Sequence, residues 1–171
     1  QPDFKDFLAK NQESAKKILN DVKIRAVKKV MNDVLSRISL PVKQITKKGM
    51  IGYCLGDYPF FIIDFTDAEK INLLLLGDFK NDDHIQKIMG NKLKPMNESI
   101  TWKGKFTNFR FYSIVLSSLG YVGGAQILKR LVNQSVRYVE NTGYYMSQFL
   151  SGLGQSLNYD DLFSRIYLTD R

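Results

Sequence analysis

Two apolar runs joined by a short polar segment constrain this chain more than any other feature. The runs are PFFIIDF at residues 59–65 and INLLLLGDF at residues 71–79. Both are rich in β-branched and aromatic residues, which favour strands. Asp67 and Glu69, in the segment between them, fit a turn because turns favour polar side chains that hydrogen-bond locally. The sequence therefore predicts a β-hairpin, around which the rest of the chain must pack.

The acidic residues of this hairpin also fit a metal site. Asp64 ends the first run, and Asp78 ends the second and is followed by Lys80. Two such carboxylates can coordinate Mg²⁺, while the lysine polarises a water molecule or stabilises charge at phosphorus. In an antiparallel pair, however, the two carboxylates lie at opposite ends and diverge. A Mg²⁺-dependent nuclease using Asp64 and Asp78 is therefore only the third of three functions, and we predict no catalytic residue, metal or cofactor.

Cysteine and histidine chemistry is limited to one residue of each kind. Cys54 excludes an internal disulfide, and together with His84 it leaves too few ligands for a structural zinc site. Cys54 falls in a predicted strand and His84 at the start of a predicted helix, so they would form a nucleophile–base pair only through a chance tertiary contact. We expect Cys54 in the core and His84 at the surface.

Helical periodicity dominates the N-terminal region. Apolar residues recur at helical spacing from Asn11 to about Ile38, lysines occupy the opposite face, and Leu40-Pro41 ends the pattern. A helix docked on the core is the favoured interpretation. A basic helix on a membrane surface is disfavoured because this interval lacks Trp and Phe anchors. No apolar run approaches the roughly 20 residues that span a bilayer, and we predict no membrane partner.

Strand-like and helix-like segments follow Pro41 in an order that indicates an architecture. They are strands at 42–56, 59–65 and 71–79, a short helix at 81–91, strands at 98–106 and 109–119, and a helix at 125–139. Five short strands with a helix after the third is the arrangement of the OB-fold, a Greek-key barrel. The predicted fold is mainly β, a five-stranded OB barrel at 41–120, with an N-terminal helical extension at 1–40 and a C-terminal partner-binding helix and tail at 121–171.

The net charge of +8 is unevenly placed along the chain. Residues 1–50 carry +7, 51–85 carry −5, 86–137 carry +8 and 138–171 carry −2. Clustered Lys and Arg suit a polyanion because they release counterions from phosphates on binding. In the second basic block, TWKGKFTNFRFY interleaves basic residues with aromatic rings that can stack on unpaired bases. The predicted nucleic-acid-binding residues are Trp102, Lys103, Lys105, Phe109 and Arg110.

Five segments add a family resemblance to this pattern. They are VLSRISL, PVKQITKKGMIGYC, FFIIDFTDAEKINLLLL, WKGKFTNFRF and AQILKRLVNQ, across roughly residues 27–136. Together they resemble the N-terminal OB domain of the Stn subunit of the CST (Ctc–Stn–Ten) telomere complex, itself related to the middle subunit of replication protein A. In that family winged-helix domains follow, so the resemblance implies a longer protein.

The resemblance implies a non-enzymatic OB-fold subunit in the nucleus, at chromosome ends, that binds single-stranded telomeric DNA weakly. Its implied partners are a small Ten-like OB subunit, a large Ctc-like OB subunit, DNA polymerase α-primase and telomerase. The partner-binding positions that it carries over are Ile127, Leu128, Leu131 and Val132. The alternative is a general single-stranded DNA-binding subunit of a heterotrimer like replication protein A.

Overall fold

The computed structural model describes residues 2–56, 58–102, 105–120 and 123–142, with the side chains at 2, 98, 99, 101 and 105–110 left aside. The elements in chain order are α1 (Pro2–Leu35), β1 (Val42–Lys47), β2 (Met50–Leu55), β3 (Tyr58–Asp64), β4 (Asn72–Leu75), α2 (Asp83–Met89), β5 (Lys94–Trp102), β6 (Lys105–Val115) and α3 (Gly124–Asn141). Short 3₁₀ turns follow α2 at Gly90–Lys92 and β6 at Leu116–Leu119. The predicted C-terminal tail, from residue 143 onward, lies outside the described residues.

One antiparallel sheet of six strands, in the order β1-β2-β3-β4-β6-β5, forms the centre of the fold. Strands β1 to β4 are a meander, and β6 extends it by pairing with both β4 and β5. An antiparallel sheet with a helix at each end of the chain is thus confirmed. The closed five-stranded barrel is wrong, because β1 and β5 are two open edges with no ladder between them in the described part. The fold mixes helix and sheet rather than being mainly β.

The open sheet is nevertheless curled, so that its two edges approach each other at one end. Trp102 belongs to edge strand β5, yet Nζ of Lys47 in edge strand β1 lies 4.7 Å from the centroid of its ring. The same ring covers β2, where a Cβ added to Gly52 would lie 2.6 Å from it. Gly52 therefore provides the space that lets the end of β5 fold over the sheet.

Helices α1 and α3 pack together and close the hydrophobic core. The C-terminal half of α1 buries four apolar side chains, which are Ile24, Val27, Met31 and Val34. At the border of this contact, Nζ of Lys129 in α3 lies 2.8 Å from Oδ2 of Asp33 in α1. Hydrogen bonding and charge from Lys129 hold the pKa of Asp33 below its ordinary value. Nε2 of Gln134 donates to the carbonyl of Asp78 (3.1 Å), joining α3 to the segment after β4.

Three buried polar atoms have no hydrogen-bond partner among the described residues. They are Oη of Tyr53, Nε1 of Trp102 and Oγ of Ser135. Burial raises the pKa of Tyr53 to about 12, since the interior disfavours the phenolate. Such atoms lose their hydration without compensation, so each is a local cost to stability.

The first helix begins earlier than its periodicity indicated. It starts at Pro2 instead of Asn11 and ends at Leu35, so it is about 51 Å long at 1.5 Å per residue. Proline suits the first helical position, where its missing N–H is no loss, and Asp3 in the first turn complements the helix dipole. The added turns bring Phe4, Phe7 and Leu8 into the helix, and this changes which surface of the molecule is of functional interest.

Candidate docking face on the first helix

The predicted nucleic-acid-binding residues are only partly described, and the one that is described is buried. Trp102 is 2% exposed, so its ring is a core group and does not stack on an incoming base. Its placement corrects that prediction, and the reason is the curl of the sheet over Gly52. The side chains of Lys105, Phe109 and Arg110, and the whole of Lys103, lie outside the described part of the chain.

The predicted partner-binding residues lie on α3 but do not form an exposed surface. Leu128, Leu131 and Val132 are buried in the core of this chain, where α3 packs on α1. Ile127 is partly buried and packs against the same core. The amphipathic pattern of α3 is thus explained by packing within the chain itself.

The two carboxylates of the nuclease alternative are engaged in local contacts. Oδ1 of Asp64 accepts hydrogen bonds from the N–H and the hydroxyl of Thr66, at 3.0 and 2.6 Å. Both carboxylate oxygens of Asp78 accept from Nδ2 of Asn81, at 3.0 and 2.9 Å. Over residues 2–56, 58–102, 105–120 and 123–142, no three His, Cys, Asp or Glu side chains come together as a possible metal site. Cys54 is buried, as expected.

The most distinctive surface is a row of exposed apolar side chains on α1, which we call the exposed stripe. Its members are Phe4, Phe7, Leu8, Ile18, Leu19 and Val22, exposed by 44 to 64%. At about 100° per residue, these six project within a sector of roughly 120°. The centre of that sector lies about 160° from that of Ile24, Val27, Met31 and Val34, which face the core. Helix α1 therefore has two apolar faces, one on the body of the protein and one turned away from it.

Basic side chains follow one border of the exposed stripe. On a helical wheel, Lys5 and Lys23 lie about 40° beyond that border, and Arg25 and Lys29 lie at the C-terminal end of the stripe. Asp3 and Asp21 lie about 40° beyond the other border, and the lysines on that side lie further round, toward the core-facing side of the helix. The stripe is thus an apolar surface with one positive border and one mixed border.

Helix α1 is held against the body beneath this face. Nζ of Lys16 bonds Oε1 of Glu69 at 2.6 Å, and Nδ2 of Asn20 donates to the carbonyl of Ala68 at 2.9 Å. Both partners belong to the turn between β3 and β4. The contacts fix the orientation of α1, so that the exposed stripe points away from the sheet.

An apolar groove of about 340 Å³ continues the exposed stripe toward the body. Its α1 wall shares Leu19 and Val22 with the stripe, and its other wall is formed by the 3₁₀ turn after β6 and the first turns of α3. The groove is lined by Leu19, Val22, Lys23, Ala26, Val27, Val30, Leu116, Ser117, Leu119, Gly120, Gly124, Ala125 and Leu128. Lys23 is the one charged residue in this lining.

The residues that form the N-terminal part of this site were visible in the sequence, but the predicted helix began only at Asn11 and left them out. Pro2, Asp3 and the spacing of Phe4, Phe7 and Leu8 are typical of a helix N-terminus that carries an apolar face. A predicted helix that begins at Asn11 lacks both Phe4 and Phe7.

Among the described residues, no helix is long and apolar enough to cross a membrane. In comparisons with protein-family models, with curated proteins and with solved structures, no match to the chain was found.

Proposed function

We propose that this protein is a non-catalytic peripheral domain that docks on anionic membrane surfaces through the exposed stripe of α1. The observation that carries the proposal is the position of the stripe, opposite the core-facing side of α1 and bordered on one side by Lys5 and Lys23. A helix with Phe and Leu on one side and Lys beside them lies in the plane of a bilayer interface. Its lysine stems can run along the acyl region while their ammonium groups reach the headgroups.

The border charges favour an anionic lipid surface over an antiparallel pair of α1 helices. In such a pair, the row of Lys5 and Lys23 would face the same row of the other copy, so that like charges meet. Each lysine near an anionic bilayer instead contributes about 1 kcal/mol of attraction.

The apolar term is large enough to hold a domain of this size at the interface. Complete burial of a Phe, Leu, Ile or Val side chain is worth about 1.5 to 3 kcal/mol. Because the six side chains are 44 to 64% exposed, their transfer contributes roughly 5 to 10 kcal/mol before the cost of immobilisation. The earlier prediction of no membrane partner depended on a helix without phenylalanine, and Phe4 and Phe7 remove that premise.

Single-stranded DNA binding is the second candidate function, favoured by the charge of +8 on residues 86–137. It rests on Lys103, Lys105, Phe109 and Arg110, whose side chains lie outside the described set. The telomere complex and its partners stay predictions of the sequence resemblance. The two candidates use different residues, so one set of variants separates them.

Sedimentation with phosphatidylcholine vesicles, with and without phosphatidylserine, tests the proposal on the full chain. We expect binding that needs the anionic lipid and weakens with salt. The test variant carries Phe4→Ser and Phe7→Ser together. About 60% of each ring is exposed and available for transfer into the bilayer, so losing both rings removes about 3 kcal/mol of transfer free energy. Vesicle binding should weaken roughly 100-fold.

The matched control is Ile88→Ser, which removes an exposed apolar side chain on α2, away from the stripe. It should leave vesicle binding unchanged. Equal sedimentation of the wild type and the doubly substituted chain would refute the membrane proposal. If the chain does not bind vesicles but binds an oligonucleotide in a salt-sensitive way, the result would favour single-stranded DNA binding instead.

A further inference from the structure

We infer that the groove between α1 and α3 takes up one acyl chain of an anionic membrane lipid, whose headgroup pairs with Lys23. The inference rests on the proposed docking of α1 and names what the adjoining groove does there. Leu19 and Val22 belong to both the exposed stripe and the groove. When the stripe enters the interface, the mouth of the groove therefore opens at the depth of the lipid chains.

The groove exists because small residues line the place where α1 and α3 diverge. Ala26, Gly120, Gly124 and Ala125 provide no side chain beyond Cβ. A Cβ added at Gly120 would meet no heavy atom within 4 Å, so the space beside it is open. At Gly124 an added Cβ would lie 3.0 Å from the carbonyl oxygen of Leu119. Glycine at that position lets α3 begin close to the preceding 3₁₀ turn.

The size of the groove is that of a site for a small ligand. The groove offers about 340 Å³, near the lower end of the roughly 300 to 1,000 Å³ of small-ligand sites. Several methylene groups of a single hydrocarbon chain can lie in this space.

The polar groups of the groove match the two ends of such a ligand. Its lining contains no acidic residue, and Lys23 is its one cation. The ammonium group of Lys23 can pair with a phosphate or carboxylate while the chain lies against Val27, Val30 and Leu128. Leu119 and Leu128 are almost fully buried, so the floor of the groove is apolar. An amphiphile with one anionic headgroup satisfies both parts.

The inference is tested by titrating the full chain with fluorescent lysophosphatidylserine in the absence of vesicles. The probe is kept below the concentration at which it forms micelles. We expect saturable binding of one probe per chain. Ala125→Trp, on the exposed first turn of α3, fills the groove and should weaken binding at least 10-fold. Gln126→Trp, at the next position but lining a different surface cleft, is the matched control and should bind like the wild type.

A second variant keeps the test decisive if Ala125→Trp alters the fold. Lys23→Glu should weaken binding of the anionic probe several-fold while leaving the fold intact. Circular dichroism checks the fold of both variants. Equal binding by the Ala125→Trp and Gln126→Trp variants, or no probe binding by the wild type, would overturn the inference. A chain that binds vesicles through Phe4 and Phe7 but not the monomeric probe would retain the proposed function and lose only the acyl-chain site.

Discussion

The contact between Gly52 and Trp102 gives the sharpest prediction about what holds the curled sheet together. A Cβ added at Gly52 would lie 2.6 and 2.7 Å from two atoms of the Trp102 ring. The ring cannot move outward freely, because it is 2% exposed and Nζ of Lys47 lies 4.7 Å from its centroid. Gly52→Ala should therefore destabilise the protein, although alanine usually stabilises a strand relative to glycine.

Overpacking of this kind typically costs about 1 to 3 kcal/mol. For a chain of this size, that corresponds to a fall in melting temperature of roughly 3 to 10 °C. Thermal and urea unfolding followed by circular dichroism measure the loss. Fluorescence adds a local signal, because Trp102 is the one tryptophan in the sequence. Its emission should be weakly quenched by iodide in the wild type and more strongly in the variant.

A double-mutant cycle decides whether the ring is the cause. Trp102→Phe shortens the side chain and should relieve the clash, so the cost of Gly52→Ala should shrink by at least about 1 kcal/mol when it is measured in the Trp102→Phe variant. A neutral or stabilising Gly52→Ala, or an equal cost with and without the Trp102→Phe substitution, would refute the idea that Gly52 makes room for Trp102.

Two further predictions concern the buried polar atoms. Folding raises the pKa of Tyr53 from about 10 to about 12. The neutral phenol therefore contributes its full stabilisation below pH 10, and this stabilisation is lost as the pH rises to about 12. The free energy of unfolding should fall by about 3 kcal/mol over that range. Urea midpoints across that range should fall less for Tyr53→Phe than for the wild type, and parallel curves would contradict the assignment. Ser135→Ala removes a buried hydroxyl without a partner among the described residues and should be neutral or stabilise by up to about 1 kcal/mol. A loss above that in chemical denaturation would mean that the hydroxyl is paired.

Local pattern was sufficient to place most elements of this fold. The strands of the central hairpin, α2 and α3 follow the predicted segments, since each carries its own periodicity and boundary residues. The predicted first strand failed at Gly49, which adopts φ +78° in the turn between β1 and β2. A glycine inside a predicted strand fits a bulge as well as a turn, so the sequence did not distinguish one bent strand from two.

The same local patterns do not determine which distant strands pair or which side chains face the core. Whether β1 pairs with β5 decides between a barrel and an open sheet, and β2, β3, β4 and α2 separate these two strands in sequence. The alternation in TWKGKF likewise left undecided which rings face inward, and Trp102 points into the curl. At the candidate site, the lysines were visible in the sequence, but the direction of the stripe depended on which face of α1 the core occupies.

The open edge at β1 has a consequence for how the molecule behaves at high concentration. An unpaired strand offers its backbone N–H and C=O groups to any other extended chain, and this is a route to aggregation. Lys43, Lys47 and Lys48 lie on or beside this strand, and β1 is only six residues long. An added strand would have to bring its own chain against these three charges. The lysines along β1 therefore keep the curled sheet from growing by one strand at a time.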